Sequence, residues 1–116
     1  VPTQARFALH LSRDRYRLVD PGDVYWLEAE GEATLVRLRS RVRLRDARPL
    51  GHVLARLPPG LFFRIHRNHA VNPARLRELR PRKGASGWEV VLDPPVNRVL
   101  PVGGTALAGL RRLLRV

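Results

Sequence analysis

Short apolar runs with a two-residue period, each closed by Pro, Gly, Asn or Asp, constrain this chain more than any other feature, because they read as strands with one buried face. Ala5, Phe7, Leu9 and Leu11 alternate with Arg6, Ala8 and His10; Ser12-Arg13-Asp14-Arg15 then supplies turn chemistry, and Tyr16 to Val19 resumes the run. A hairpin follows from that pattern. Pro21-Gly22 breaks the chain, and Val24 to Ala29 and Ala33 to Leu38 form the next two strands around Glu30-Gly31-Glu32. Val42 and Leu44 alternate with Arg41, Arg43 and Arg45, which predicts one buried face and a row of guanidiniums on the other.

The period changes between Pro49 and Leu57, where Leu50, Val53, Leu54 and Leu57 follow helical spacing until Pro58-Pro59-Gly60. Pro73 to Leu76 predicts a helical turn, Leu79 begins a strand, and Arg80 to Ser86 is a basic loop containing Pro81 and Gly84. Trp88 to Leu92 and Val96 to Val102 flank Asp93-Pro94-Pro95 as a last hairpin. Gly103-Gly104-Thr105 opens a second helix, with Thr105 as N-cap and Leu107, Leu110, Leu113 and Leu114 along its apolar face. The expected fold class is therefore mainly β with two short helices. At 116 residues the chain makes one domain, residues 1–116, with a single core. It starts on a plain Val rather than Met, which suggests a domain excised from a longer protein.

Charge narrows the function. Lys and Arg number 22 against 10 acids, all but Lys83 arginine, and a net charge of +12 on so small a domain points to a polyanion such as nucleic acid. Coding bias explains arginine in place of lysine; it leaves the excess of bases over acids unexplained. With no cysteine there is neither a disulfide framework nor a thiolate metal site, which fits the cytoplasm. No apolar run is long enough for a membrane span. Catalysis finds no support: Ser12, Ser40 and Ser86 lie in turn-like or basic segments, and no nucleophile elbow or nucleotide-binding glycine pattern occurs. His66 and His69, separated by Arg67, make a poor metal pair, and Glu28, Glu30 and Glu32 are expected to balance arginines or cap a turn. Neither a metal nor a cofactor is expected.

The chemistry concentrates in Phe62 to Asn72, Phe-Phe-Arg-Ile-His-Arg-Asn-His-Ala-Val-Asn. Phe63 and Ile65 point inward by alternation; Arg64 and His66 point outward, and Arg67, Asn68 and His69 offer a guanidinium fork, a carboxamide and an imidazole in a loop. His66 and His69 either contact DNA or shape the loop by backbone hydrogen bonds. Ala70 and Val71 return to the interior, and the Asn72 carboxamide ties the turn before Pro73.

This string resembles the Arg-(apolar)-His-Arg-Ser-(any)-(apolar)-Val-Asn signature of the LytTR DNA-binding domain family. Asp23-Val24-Tyr25-Trp26-Leu27-Glu28-Ala29 is similar to the family's acidic-ended early strand, and Val99-Leu100-Pro101-Val102 to the strand before its last helix. The resemblance implies small antiparallel sheets in an elongated arrangement with helices alongside, and sequence-specific binding of double-stranded DNA by a transcriptional regulator's output domain. It places Arg67 in the major groove, Arg64 and Asn68 beside it as backbone anchors, and an early recognition loop near Glu32, Ala33 and Thr34. Arg80 and Arg82 join as phosphate contacts. Where the family commonly shows Ser-Arg, this chain has Gly103 and Gly104, so main-chain N–H groups at Gly104 and the Thr105 hydroxyl would hold a phosphate there. The family also implies a receiver or other sensor domain in the full-length chain and two copies on repeated sites. The alternative is a basic protein-interaction or RNA-binding module without specific DNA readout, which Gly103-Gly104 favours and the scarcity of aromatic platforms opposes.

Overall fold

The computed structural model describes residues 6–39 and 42–116. Ala5, Ser40 and Arg41, which figure in the expectations above, lie outside the described residues. The expected first hairpin forms: β1 (Phe7–Ser12) pairs antiparallel with β2 (Arg15–Val19) across Arg13-Asp14. After a 3-10 turn at Pro21–Asp23 come β3 (Val24–Glu30), β4 (Ala33–Leu38), β5 (Arg43–Asp46) and helix α1 (Leu50–Ala55). Next are β6 (Phe63–His66), β7 (His69–Val71), a second 3-10 turn (Pro73–Arg75), β8 (Leu76–Pro81), β9 (Trp88–Leu92), β10 (Val99–Val102) and helix α2 (Leu107–Leu114).

Three antiparallel sheets result: β1-β2, β10-β9-β8, and a five-stranded sheet ordered β5-β4-β3-β7-β6. The molecule measures 45 × 38 × 25 Å, flattened rather than rod-like. Its central strand β3 feeds two cores. A bulge between Val24 and Trp26 lets consecutive Tyr25 and Trp26 both enter one core, while Val24 and Leu27 enter the other. The first core joins Phe7, Leu9 and Val19 of the hairpin to Leu50 and Val53 of α1. The second joins Ile65 and Val71 to Val90, Leu92 and Leu100 of the third sheet and Leu110 of α2. Fully burying such side chains stabilises by about 1.5–3 kcal/mol each, so two modest cores replace the single one expected.

Several bounds shift. β8 begins at Leu76 rather than Leu79 and takes in Arg80 and Pro81, and residues 96–98 stay outside β10. In β5 the guanidinium face holds at Arg43 and Arg45, but Val42 is exposed and the buried face is continued by Asp46. Asn72 ties its turn as expected: its Oδ1 accepts from the Ala74 N–H at 3.0 Å, and its Nδ2 donates to Val24 O at 3.0 Å and Pro21 O at 3.2 Å, which also fixes the start of β3.

Candidate nucleic-acid interface

The Phe62 to Asn72 stretch folds as a tight hairpin rather than as a strand leading to an open loop. β7 starts already at His69, so only Arg67 and Asn68 remain in the turn, and both are exposed. Phe63 and Ile65 do point into the second core. The turn is held from within: Arg64 Nη2 donates to the Arg67 carbonyl, and the Asn68 N–H donates to His66 Nδ1 at 3.2 Å. From outside, the Ala29 N–H donates to Asn68 O at 2.8 Å, tying the turn to central strand β3. His66 thus shapes the turn through the backbone, one of the two roles open to it. His69 is half-buried with Nε2 3.1 Å from Glu28 Oε1, and its ring centroid lies 5.6 Å from that of His66. It braces the turn; the exposed chemistry at the tip belongs to Arg67 and Asn68.

Beside the turn lies an open groove of about 560 Å³, walled by Arg64, His66 and Arg67 on one side and by Gly103, Thr105 and Ala106 on the other. A backbone hydrogen bond joins the walls, the Gly103 N–H donating to Ile65 O at 2.6 Å. A Cβ on Gly103 would meet that oxygen at 3.2 Å, so close approach is what glycine provides here. Gly104 and Thr105 are exposed. Thr105 is not the N-cap: α2 begins at Leu107 with Ala106 in the cap position and no side-chain cap bond. The chain makes one more turn first, the Ala106 N–H donating to Gly103 O at 3.0 Å, and this places Thr105 ahead of the helix instead of at its entry.

Thr34 is withdrawn from the site. It is fully buried in β4, because the strand starts at Ala33 and turns Thr34 inward, where its Oγ1 donates to Arg48 O at 2.8 Å. The exposed residues between β3 and β4 are Gly31 and Glu32. Arg80 is exposed but already paired, its Nε donating to Glu89 Oε2 at 2.8 Å with Glu78 Oε2 3.9 Å from Nη1; the Glu89 hydrogen bond raises its pKa. Arg82 forms no ion pair among the described residues and opens the exposed β8–β9 loop. Strand register sets Pro81, Trp88 and Val102 level, so this loop leaves the sheet at the end where Gly103 meets β6.

Two arrangements escaped sequence reasoning. Asp46, fully buried, accepts from Arg48 Nε at 2.9 Å and Arg48 Nη2 at 2.7 Å, from the Arg48 N–H at 2.9 Å and from the His10 N–H at 3.0 Å; Arg48 Nη2 also reaches Ala8 O at 2.9 Å. Burial alone would raise the Asp46 pKa, but the Arg48 side chain and the two backbone N–H groups outweigh it and hold it below the ordinary 3.8. The available signal was an acid two residues after Leu44, on the inward face of β5. The second is Trp26, whose ring has the Arg37 and Arg98 guanidiniums at 5.5 and 5.7 Å.

Comparison with known proteins bears on this surface. The family model described as LytTr DNA-binding domain matches residues 14–115. The CO-responsive transcriptional regulator RcoM of Rhodospirillum rubrum is 32% identical over 98 residues, 84% of this chain and 40% of that protein. Transcriptional regulatory protein YpdB of Escherichia coli K12 is 31% identical over 80 residues, 68% of this chain and 32% of that protein. The chain thus spans less than half the length of these relatives. The solved LytTr DNA-binding domain of a methyl-accepting/DNA response regulator from Bacillus cereus has the same fold, with a TM-score of 0.76 and 21% identity over 97% of this chain and 99% of that one.

Proposed function

The chain belongs to the LytTR family of DNA-binding domains, and from that premise we propose that it reads duplex DNA through the Arg67 turn. Arg67 is the base reader, its guanidinium able to fork onto guanine O6 and N7. The observation that carries this is the placement of an exposed guanidinium at the tip of a two-residue turn tied by three hydrogen bonds, beside an open groove. A rigid mount matters because a reader held in place loses little freedom on binding. Asn68 and Thr105 line the approach with carboxamide and hydroxyl donors respectively, Arg82 anchors a phosphate, and the Gly104 main chain comes close to the backbone where a side chain is missing. Arg64 acts mainly through the turn it braces, and Arg80 contributes less because Glu89 holds it.

Residues 1–116 are, on this reading, a single output domain within a longer regulator whose other part, a receiver or other sensor domain, supplies the input. Two copies occupy adjacent repeats on the DNA, in the cytoplasm. That the relatives are transcriptional regulators matched over 40% and 32% of their length supports a longer regulator around this domain. Among the described residues no helix is long and apolar enough to cross a membrane. Selection of bound sequences from a random duplex library tests the reading: a recurring motif is expected, and recovery of unenriched sequence would remove specific readout.

A further inference from the structure

A concavity larger than the groove at the Arg67 turn lies elsewhere on the molecule. The β1–β2 hairpin, α1 and residues 56–61 enclose a groove of about 800 Å³, a size within the range of roughly 300–1,000 Å³ typical of small-molecule sites. Its floor is apolar: Phe7 and Val53 of the first core, with Leu57 and Leu61. One wall is aromatic, the rings of His10 and Tyr16 stacked at 4.9 Å and 15°. The rim carries the guanidiniums of Arg6, Arg48 and Arg56 beside the His52 imidazole, and no carboxylate among the described residues lines it. Asp46 already matches Arg48, which leaves Arg6 and Arg56 as charges with no ion pair among the described residues.

We propose that this groove binds a small amphiphilic carboxylate, its apolar or aromatic body on Phe7, Leu57 and Leu61 beside the His10–Tyr16 wall and its carboxylate between Arg6 and Arg56. Charge complementarity excludes a cationic ligand. A nucleic-acid backbone fits poorly, since phosphodiesters and sugars present no apolar surface to cover this floor and leave the desolvated leucines uncompensated. An acidic peptide shares the charge, but its extended backbone would have to enter a groove bounded by the hairpin, α1 and residues 56–61.

The test is calorimetric titration of the 116-residue chain with 2-naphthoate, alongside 2-naphthylmethanol, which keeps the ring system without the charge, and acetate, which keeps the charge without the rings. Naphthoate is expected to bind one to one and both comparators about tenfold or more weaker. Arg56→Glu is expected to weaken naphthoate by about tenfold, whereas Arg112→Glu on α2, the same charge change outside the groove, leaves it unchanged. Arg56 is exposed at the end of α1, so the fold is checked by circular dichroism, and Arg56→Ala repeats the test with a smaller change. Equal binding of the alcohol, equal loss in the two charge-reversed variants, or binding of an acidic amphipathic peptide where naphthoate fails would each overturn the proposal. So would an Arg56→Glu protein that loses duplex DNA affinity as much as naphthoate affinity, since the groove would then belong to the DNA surface.

Discussion

Arg67 and Arg82 are both exposed arginines at turns, and the proposed function gives them different tasks. Arg67 stands on a turn tied to β3 beside a groove, whereas Arg82 leads a loop at the level of Gly103 that is closed on itself by the Arg82 N–H donating to Gly87 O at 3.0 Å. Arg67→Ala is expected to cost about 1–3 kcal/mol on a preferred site and to relax preference at one position, while Arg82→Ala weakens all sequences alike; paired binding isotherms on preferred and scrambled duplexes check this. Asp46 carries a different consequence. Its pKa lies below the unfolded value of about 3.9, so its contribution is complete above that pH and is lost as pH falls through the lower folded value. Thermal melts should show stability falling below about pH 4, and Asp46→Asn should remove about 2–3 kcal/mol at neutral pH and flatten that acid limb. Arg67, Asn68 and Asn72 were legible in the sequence because turn chemistry is local. Thr34 and Asp46 were not, because their burial depends on distant partners: the Arg48 carbonyl accepts from Thr34, and Arg48 with the His10 N–H satisfies Asp46.

At the scale of elements, alternation found the strands of the first hairpin, β3, β4 and β6, and helical spacing found both helices. It failed at element ends, where the competing force is pairing with a distant strand. β7 claims His69 because Glu28 lies opposite it, which shrinks the expected loop to two residues. Likewise α2 starts late because Gly103 bonds to Ile65 O across the groove, so the turn at 103–106 belongs to β6 as much as to the helix. This distinguishes the two glycines. A Cβ at Gly103 meets Ile65 O, whereas at Gly104 it meets nothing within 4 Å and neither φ is positive. Gly104→Arg is therefore expected to change stability by no more than about 0.5 kcal/mol in urea unfolding. It should also sharpen sequence preference at one flank of the bound site, by placing a guanidinium on the exposed turn that borders the groove. Loss of folding in this variant would show that the glycine is structurally required.

For the whole molecule, the sheet order β5-β4-β3-β7-β6 and the division into two cores lay beyond pattern reading. Periodicity says which face of a strand is buried and nothing about which partner covers it. Net charge, by contrast, was fully legible, and part of it is balanced within the fold by ion pairs such as Arg45–Glu30, Arg48–Asp46 and Arg80 with Glu78 and Glu89. Exposed arginines outside these pairs, Arg67 and Arg82 among them, can meet phosphates, and each phosphate neutralised releases condensed counterions. The most direct test is a fluorescence titration of the domain with a duplex carrying the selected motif and with a scrambled duplex of equal length, repeated across monovalent salt. Log affinity should fall against log salt with a slope of about −0.9 per contact over roughly five contacts or more, and the motif should bind tighter than the scrambled duplex by about 10³ or more. A nearly flat salt dependence, or equal affinity for the two duplexes, would contradict specific DNA readout by this domain.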